Sequence, residues 1–243
     1  MAVKHPARFS APVLSGLRRI VDDQCAEFRI LDPFAGVGGV HQLAAHERGV
    51  FTYGVEIEEE WARQSVGTVC GDSRFLTDFF PFDHFDMVVT SPAYGNRMAD
   101  QYLPPDTDLS KRYTYATSLG RRLSEANGAG LQWGDEYRDL HASVWVSCVD
   151  VLKPGGLVVL NVKDHFRKGV RQRVRDWHVG WFLEAGFDLV DEVELDSDGI
   201  KHSPNRDRCS ERLITLRHRV DPKWWEPDWE DNGWGVDPAW RDH

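Results

Sequence analysis

Apolar positions along the chain fall into short dense runs separated by longer amphipathic stretches. Phe28, Ile30 and Leu31 form the first run and lead to Asp32; Val50 to Val55 form the second and lead to Glu56. Thr68-Val69-Cys70 is a brief third ahead of Asp72, and Phe85 to Thr90 is a fourth, running into Ser91-Pro92-Ala93-Tyr94. Leu157 to Val162 is a fifth. Runs of this length between turn residues read as buried strands. Helical spacing occupies the gaps: Val13, Leu14, Leu17, Ile20 and Val21 predict a helix over 13–24, with Pro6 and Pro12 disfavouring helix earlier. Further helices are predicted over 40–46, 136–152 and 171–185. The alternation predicts an α/β fold, a doubly wound, mostly parallel sheet covered on both faces, and segments 187–194 and 211–219 add a C-terminal antiparallel hairpin. Ligands bind such sheets beyond the carboxyl ends of the strands, where Asp32, Glu56, Asp72, Ser91 and Asn161 all fall.

The turn after the first strand, Asp32-Pro33-Phe34-Ala35-Gly36-Val37-Gly38-Gly39, invites a ligand. Glycines let backbone approach a bound molecule where a Cβ would collide. Asp32 suits an ammonium group, and the helix start beyond the turn suits a carboxylate. S-adenosylmethionine carries both. Glu56, 24 residues beyond Asp32, stands where doubly wound folds hold a ribose diol. Asp72 is placed to accept from an adenine amino group. Gly36-x-Gly38 alone is a weak motif, and its weight comes from the Ser91 segment sixty residues on.

Composition changes this picture only in part. With 243 residues, 41% hydrophobic and 28% charged, the chain suits one sizeable α/β domain. No run is long and apolar enough for a membrane span, and the first residues have no apolar core of a secretory signal. Cys25, Cys70, Cys148 and Cys209 lack metal-type spacing, so the reading is reduced thiols, no metal and a cytoplasmic setting. The formal net charge of −10 argues against broad affinity for nucleic acid. Yet 163–175 holds six bases against one acid, whereas 221–243 holds seven acids against two bases and five tryptophans. The charge of the whole chain therefore does not describe its faces.

Ser91-Pro92-Ala93-Tyr94 has a chemistry of its own. An exocyclic base amine is a poor nucleophile because its lone pair is delocalised into the ring. Acceptors around its N–H groups draw the nitrogen toward tetrahedral geometry; the Ser91 hydroxyl and the Pro92 carbonyl can supply them. Tyr94 offers a flat face for an unstacked base. With a sulfonium as methyl donor, catalysis is chiefly positioning for in-line transfer.

At these residues the chain resembles the amino-methyltransferases of DNA, which methylate cytosine N4 or adenine N6. Asp32-Pro33-Phe34-Ala35-Gly36-x-Gly38 resembles their cofactor motif and Thr90-Ser91-Pro92-Ala93-Tyr94 their catalytic motif. Lys4-His5-Pro6-Ala7-Arg8-Phe9 resembles their accessory cofactor segment, which brings His5 and Ala7 to the cofactor. Leu152-Lys153-Pro154-Gly155-Gly156 and Arg208-x-x-Glu211 fit as well. The likeness covers about 220 residues in gamma-type motif order and implies a seven-stranded Rossmann-like methyltransferase sheet over 1–220, with S-adenosylmethionine as cofactor and DNA, less so RNA, as partner. Serine at 91 resembles the cytosine-N4 members. Ala93 departs from a pattern that carries a second proline there, and loss of that ring loosens the loop. No separate target-recognition domain is expected after the hairpin. Residues 95–135 are the expected recognition insertion, with Arg97, Lys111, Arg112, Arg121 and Arg122 as candidate DNA contacts and Lys163, Arg167 and Lys168 along the backbone. Adenine N6, an RNA amine, or a noncatalytic nucleic-acid-binding role are the alternatives. Domain economy suggests a bacterium or its virus as the source.

Overall fold

The computed structural model describes residues 4–6, 8–24, 27–96, 98–99, 108, 114–195 and 210–220. Ala7, Arg97, Lys111, Arg112, Cys25, Cys209, Arg208 and the tryptophan-rich tail over 221–243 lie outside the described residues, as does most of 100–113.

Nine strands are described: β1 (Phe28–Asp32), β2 (Val50–Glu56), β3 (Thr68–Cys70), β4 (Phe85–Thr90), β5 (Leu152–Lys163), β6 (His165–Arg167), β7 (Val170–Gln172), β8 (Phe187–Leu195) and β9 (Glu211–His218). Seven of them form one sheet in the order β3-β2-β1-β4-β5-β9-β8; β6 and β7 pair separately as a small hairpin. The first five are parallel, and β9 is antiparallel to both β5 and β8. The order reverses between β1 and β4, which opens a crevice at their carboxyl ends. In register, Leu31 pairs with Val88 and Thr90 with Leu160, so Asp32 and Ser91 end their strands beside Asn161, which β5 still pairs with Leu213 of β9.

Both faces are covered, as the alternation predicts. Helix α1 (Ala11–Asp22) lays Val13, Leu14, Leu17 and Val21 on Ile30, Met87 and Val159. Helices α4 (Asp135–Val151) and α5 (Val174–Glu184) bring Trp145, Cys148, Val179 and Phe182 against Leu31, Val88, Val158 and Leu160 on the other face. Burying a large apolar side chain stabilises the fold by ~1.5–3 kcal/mol, so the fully buried Trp145 and Phe182 are among its main anchors. The short helices α2 (Glu59–Ala62) and α3 (Tyr115–Leu119) lie beside the crevice.

Four expectations need correction. Helix α1 starts at Ala11 and includes Pro12, because a first-turn proline removes no intrahelical hydrogen bond, and the Ser10 hydroxyl caps it by accepting from Val13 N. The predicted helix over 40–46 is instead two short 3-10 segments, Gly39–Leu43 and His46–Arg48. The predicted helix from Arg171 begins only at Val174; residues 170–172 instead pair with 165–167 around Lys168 and Gly169, both at positive φ. Strand β5 starts at Leu152 and absorbs Lys153-Pro154-Gly155-Gly156, with a register shift against β4.

Candidate active site

A cleft of about 940 Å³, including its open mouth, lies over the carboxyl ends of β1, β2 and β4. Asp32, Glu56, Asp72 and Ser91 line it from the sheet, and Asn127 and Gly128 line it from the insertion. Asp32 is buried where β1 ends, and its Oδ1 accepts from Phe34 N at 3.0 Å. Ala35 N donates to the Val55 carbonyl, which clamps the glycine turn onto β2. Gly36 and Gly38 both have positive φ, and an added Cβ on Gly36 would lie 3.1 Å from the His5 ring. His5 thus closes over the turn, edge-on to Trp61 with ring centroids 4.4 Å apart. The Pro33 carbonyl accepts from the buried Ser73 hydroxyl, and Phe34 stands against His141.

Glu56 is held by two backbone donors, Gly36 N and Glu58 N, each at 2.9 Å. Burial pushes the Asp32 carboxyl up to about 7, with the Phe34 N–H opposing it. Burial likewise pushes Glu56 up to about 7, offset by its two backbone donors and reinforced by the charges of Glu58 and Asp32. Asp72 takes the guanidinium of Arg74 on both oxygens and caps the turn through Arg74 N. Its carboxyl is lowered despite partial burial, because Arg74 outweighs the desolvation.

At the far end of the cleft, Ser91 belongs to a four-residue cluster. Its Oγ is 3.3 Å from the Tyr94 hydroxyl and 3.5 Å from Asn161 Nδ2. Asn161 Nδ2 also donates to Glu211 Oε1 at 3.1 Å, and the Tyr94 hydroxyl lies 3.4 Å from the same oxygen. Burial, then Glu211, holds the Tyr94 phenol protonated far above its usual range. A charged acceptor takes the phenol proton best. The Ser91 hydroxyl can then donate to Tyr94; one of its lone pairs accepts from Asn161 Nδ2, and the other is left for a ligand in the cleft. Asn161 Oδ1 is buried without a partner among the described residues, and the Pro92 carbonyl accepts from none of them.

The candidate DNA contacts divide. Arg121, itself exposed, is engaged by Glu58 and Glu60 at 2.8 and 2.6 Å. Arg122 is exposed beside it. Lys163, Arg167 and Lys168 sit on or next to the β6–β7 hairpin, just past Asn161 at the rim. Asp164, buried at the hairpin root, accepts from Arg171 Nε and Arg175 N and so fixes it to α5. Two site residues escaped sequence reasoning. Glu58, lost among the acids of 56–60, accepts from Ser124 N and Asn127 Nδ2 at 2.7 and 2.8 Å, tying the insertion over the cleft. His141, on a helix that read as ordinary core, lines the cleft with its ring driven down to about 4 by burial. An acid and a histidine on apolar faces were the available signals.

Among the described residues no cluster of three or more metal-binding side chains exists, and no helix is long and apolar enough to cross a membrane.

No family model matches the chain, and no curated protein matches it. Solved structures share its architecture. A candidate sarcosine dimethylglycine methyltransferase from Galdieria sulphuraria aligns with a TM-score of 0.53 at 10% identity, covering 89% of this chain and 92% of the other. The [4+2]-cyclase SpnF aligns at 0.52 and 13% identity, covering 90% and 85%. TrmN from Thermus thermophilus aligns at 0.48 and 17% identity over 85% of this chain, which spans only 48% of TrmN. One of these is a cyclase, so fold alone does not name a reaction. What the likeness establishes is the scaffold: this chain has the Rossmann-like methyltransferase fold, a mostly parallel seven-stranded sheet with antiparallel strands at one edge.

Proposed function

We propose that the protein is an S-adenosylmethionine-dependent DNA methyltransferase that acts on an exocyclic base amine, cytosine N4 in preference to adenine N6. The observation that carries this reading is the continuity of one cleft, from the buried carboxyls of Asp32 and Glu56 to the Ser91 hydroxyl.

The residues fit that cofactor. Three carboxylates, Asp32, Glu56 and Asp72, line the cleft, and Glu56 already occupies the Gly36 N–H that a phosphate would need. Such a lining repels a dinucleotide and suits a cationic ligand without phosphate. Asp32 would hold the ammonium, Glu56 the ribose diol and Asp72 the adenine edge, with Pro33, Phe34, Ala35, Gly36 and Gly38 shaping the turn and His5, together with Ala7, closing over it. When bound, S-adenosylmethionine supplies a methyl group on a sulfonium. The chain's own task is to orient the amine. Ser91 Oγ, the Pro92 carbonyl and Asn161 Oδ1 are acceptors for its two N–H groups, and Tyr94 supports the base. Serine at 91 favours cytosine by resemblance.

DNA would lie across the rim. The β6–β7 hairpin offers Lys163, Arg167 and Lys168 to phosphates, and Arg122 with Arg97, Lys111 and Arg112 would extend the contact. Equal amounts of unmethylated double-stranded DNA and RNA, offered with methyl-labelled cofactor, test the proposal. Label in DNA supports it; label confined to RNA, or label in neither, contradicts it.

A further inference from the structure

A buried hydrogen-bond chain ends on the loop that carries Ser91 and Tyr94. Trp145 Nε1 lies 3.1 Å from His178 Nδ1, and His178 Nε2 lies 3.0 Å from the Tyr137 hydroxyl. The Tyr137 hydroxyl lies 2.5 Å from the Ala93 carbonyl oxygen. All three side chains are fully buried. Donor count sets the direction. An indole N–H only donates, so His178 Nδ1 is the bare nitrogen of a neutral ring. The ring proton is then on Nε2 and points at Tyr137, and the single phenol proton is left for Ala93. His141 stacks on the Tyr137 ring at 3.9 Å and donates from Nδ1 to the Tyr137 carbonyl, which fixes the ring from the other side. Just ahead of the helix, Trp133 N donates to the Gly95 carbonyl at 2.9 Å. Two carbonyls of the catalytic loop are thus held from the start of α4.

We infer that Tyr137, aimed by His178 and Trp145, is a positioning residue that holds the Ala93 carbonyl and so keeps the Ser91 and Pro92 acceptors in place. The inference rests on the methyl-transfer reading of this loop. Alanine at 93 leaves free a φ that a proline ring would lock; the Tyr137 hydrogen bond restrains the same residue from outside. Ala93 has negative φ, and its N–H donates to no described residue. A proline there therefore removes no hydrogen bond, and its ring would restrain the residue that the Tyr137 hydroxyl holds.

The test is a four-member cycle of wild type, Tyr137→Phe, Ala93→Pro and the double variant. Each is assayed for kcat, KM for DNA, cofactor affinity, melting temperature and hydrogen exchange of the 91–96 segment. Tyr137→Phe is expected to lower kcat about tenfold, the scale of one buried hydrogen bond, with KM and cofactor affinity within about twofold. Exchange of the segment rises by a similar factor. Ala93→Pro restores both in the double variant, read against Ala93→Pro alone as its reference. A Tyr137→Phe defect in kcat or exchange that proline fails to restore makes the tyrosine merely structural and overturns the inference. Unchanged exchange in Tyr137→Phe overturns it too. Wild-type protein that methylates no base would defeat the methyl-transfer reading, and the exchange cycle would still decide whether Tyr137 restrains the loop.

Discussion

Asn161 Nδ2 donates to Glu211 Oε1 across 3.1 Å, joining β5 to β9 at the catalytic end of the sheet. This bond sets the amide so that its oxygen is the buried acceptor left over beside Ser91. Asn161→Ala removes that acceptor and should lower kcat about ten- to hundredfold with cofactor affinity unchanged. Asn161→Asp should be worse, because it sets a second carboxylate against Glu211. Equal activity in all three proteins would remove Asn161 from the amine site.

The buried carboxyls impose a pH dependence. Asp32 and Glu56 sit at about 7 in the unliganded protein, so each is largely protonated below neutrality. An ammonium needs the carboxylate. Cofactor affinity should therefore fall as pH drops below 7, by about tenfold per unit while Asp32 dominates. Stability runs the other way. Between about 4 and 7 the folded chain keeps protons that the unfolded chain has released, so unliganded stability declines as pH rises through that window. Asp32→Asn should flatten both slopes and abolish tight binding. Calorimetric titration from pH 5.5 to 8.5 checks this, and an affinity independent of pH would refute it.

Glu58 should matter to the cleft without touching the reaction. Its carboxylate is fully buried and serves Ser124, Asn127 and Arg121 together. Glu58→Ala strands Ser124 N and Asn127 Nδ2, at about 1–3 kcal/mol for each buried donor left unpaired, whereas the exposed Arg121 keeps Glu60; cofactor binding should weaken as Asn127 and Gly128 leave the wall. Glu58→Gln should lose less, since the amide oxygen still accepts. Thermal melting with and without cofactor measures both effects; a melting temperature unmoved by Glu58→Ala would show the tie to be idle.

The hairpin should act on DNA affinity alone. Arg167→Glu with Lys168→Glu should weaken DNA binding and flatten its salt dependence by about two charges' worth of slope. Cofactor binding should be unchanged. Filter binding at several salt concentrations would decide, and an unaltered slope would move the DNA path elsewhere.

Much of this was legible in the chain because strand ends are short, apolar and punctuated. Asp32, Glu56, Asp72 and Ser91 come to one cleft because each closes a parallel strand, a relation that alternation alone predicts. What was not legible depends on distant pairing. Residues 171–173 read as the start of the 171–185 helix, and only the Lys168-Gly169 turn with its positive φ values reveals the hairpin they join. The pairing of Arg121 with Glu58 and Glu60 joins positions about sixty residues apart, and no local pattern encodes that. The Tyr137–His178 contact likewise joins two helices that each read as ordinary core.

The most direct test of the central claim is methyl transfer to unmethylated duplex DNA, followed by digestion to nucleosides, with wild type, Ser91→Ala and Tyr94→Ala side by side. Wild type is expected to yield N4-methylcytosine, with a loss of at least about a hundredfold in both variants. N6-methyladenine instead would keep the reaction and overturn the base assignment. No methylated base from a wild-type protein that binds S-adenosylmethionine would contradict base methylation as its reaction.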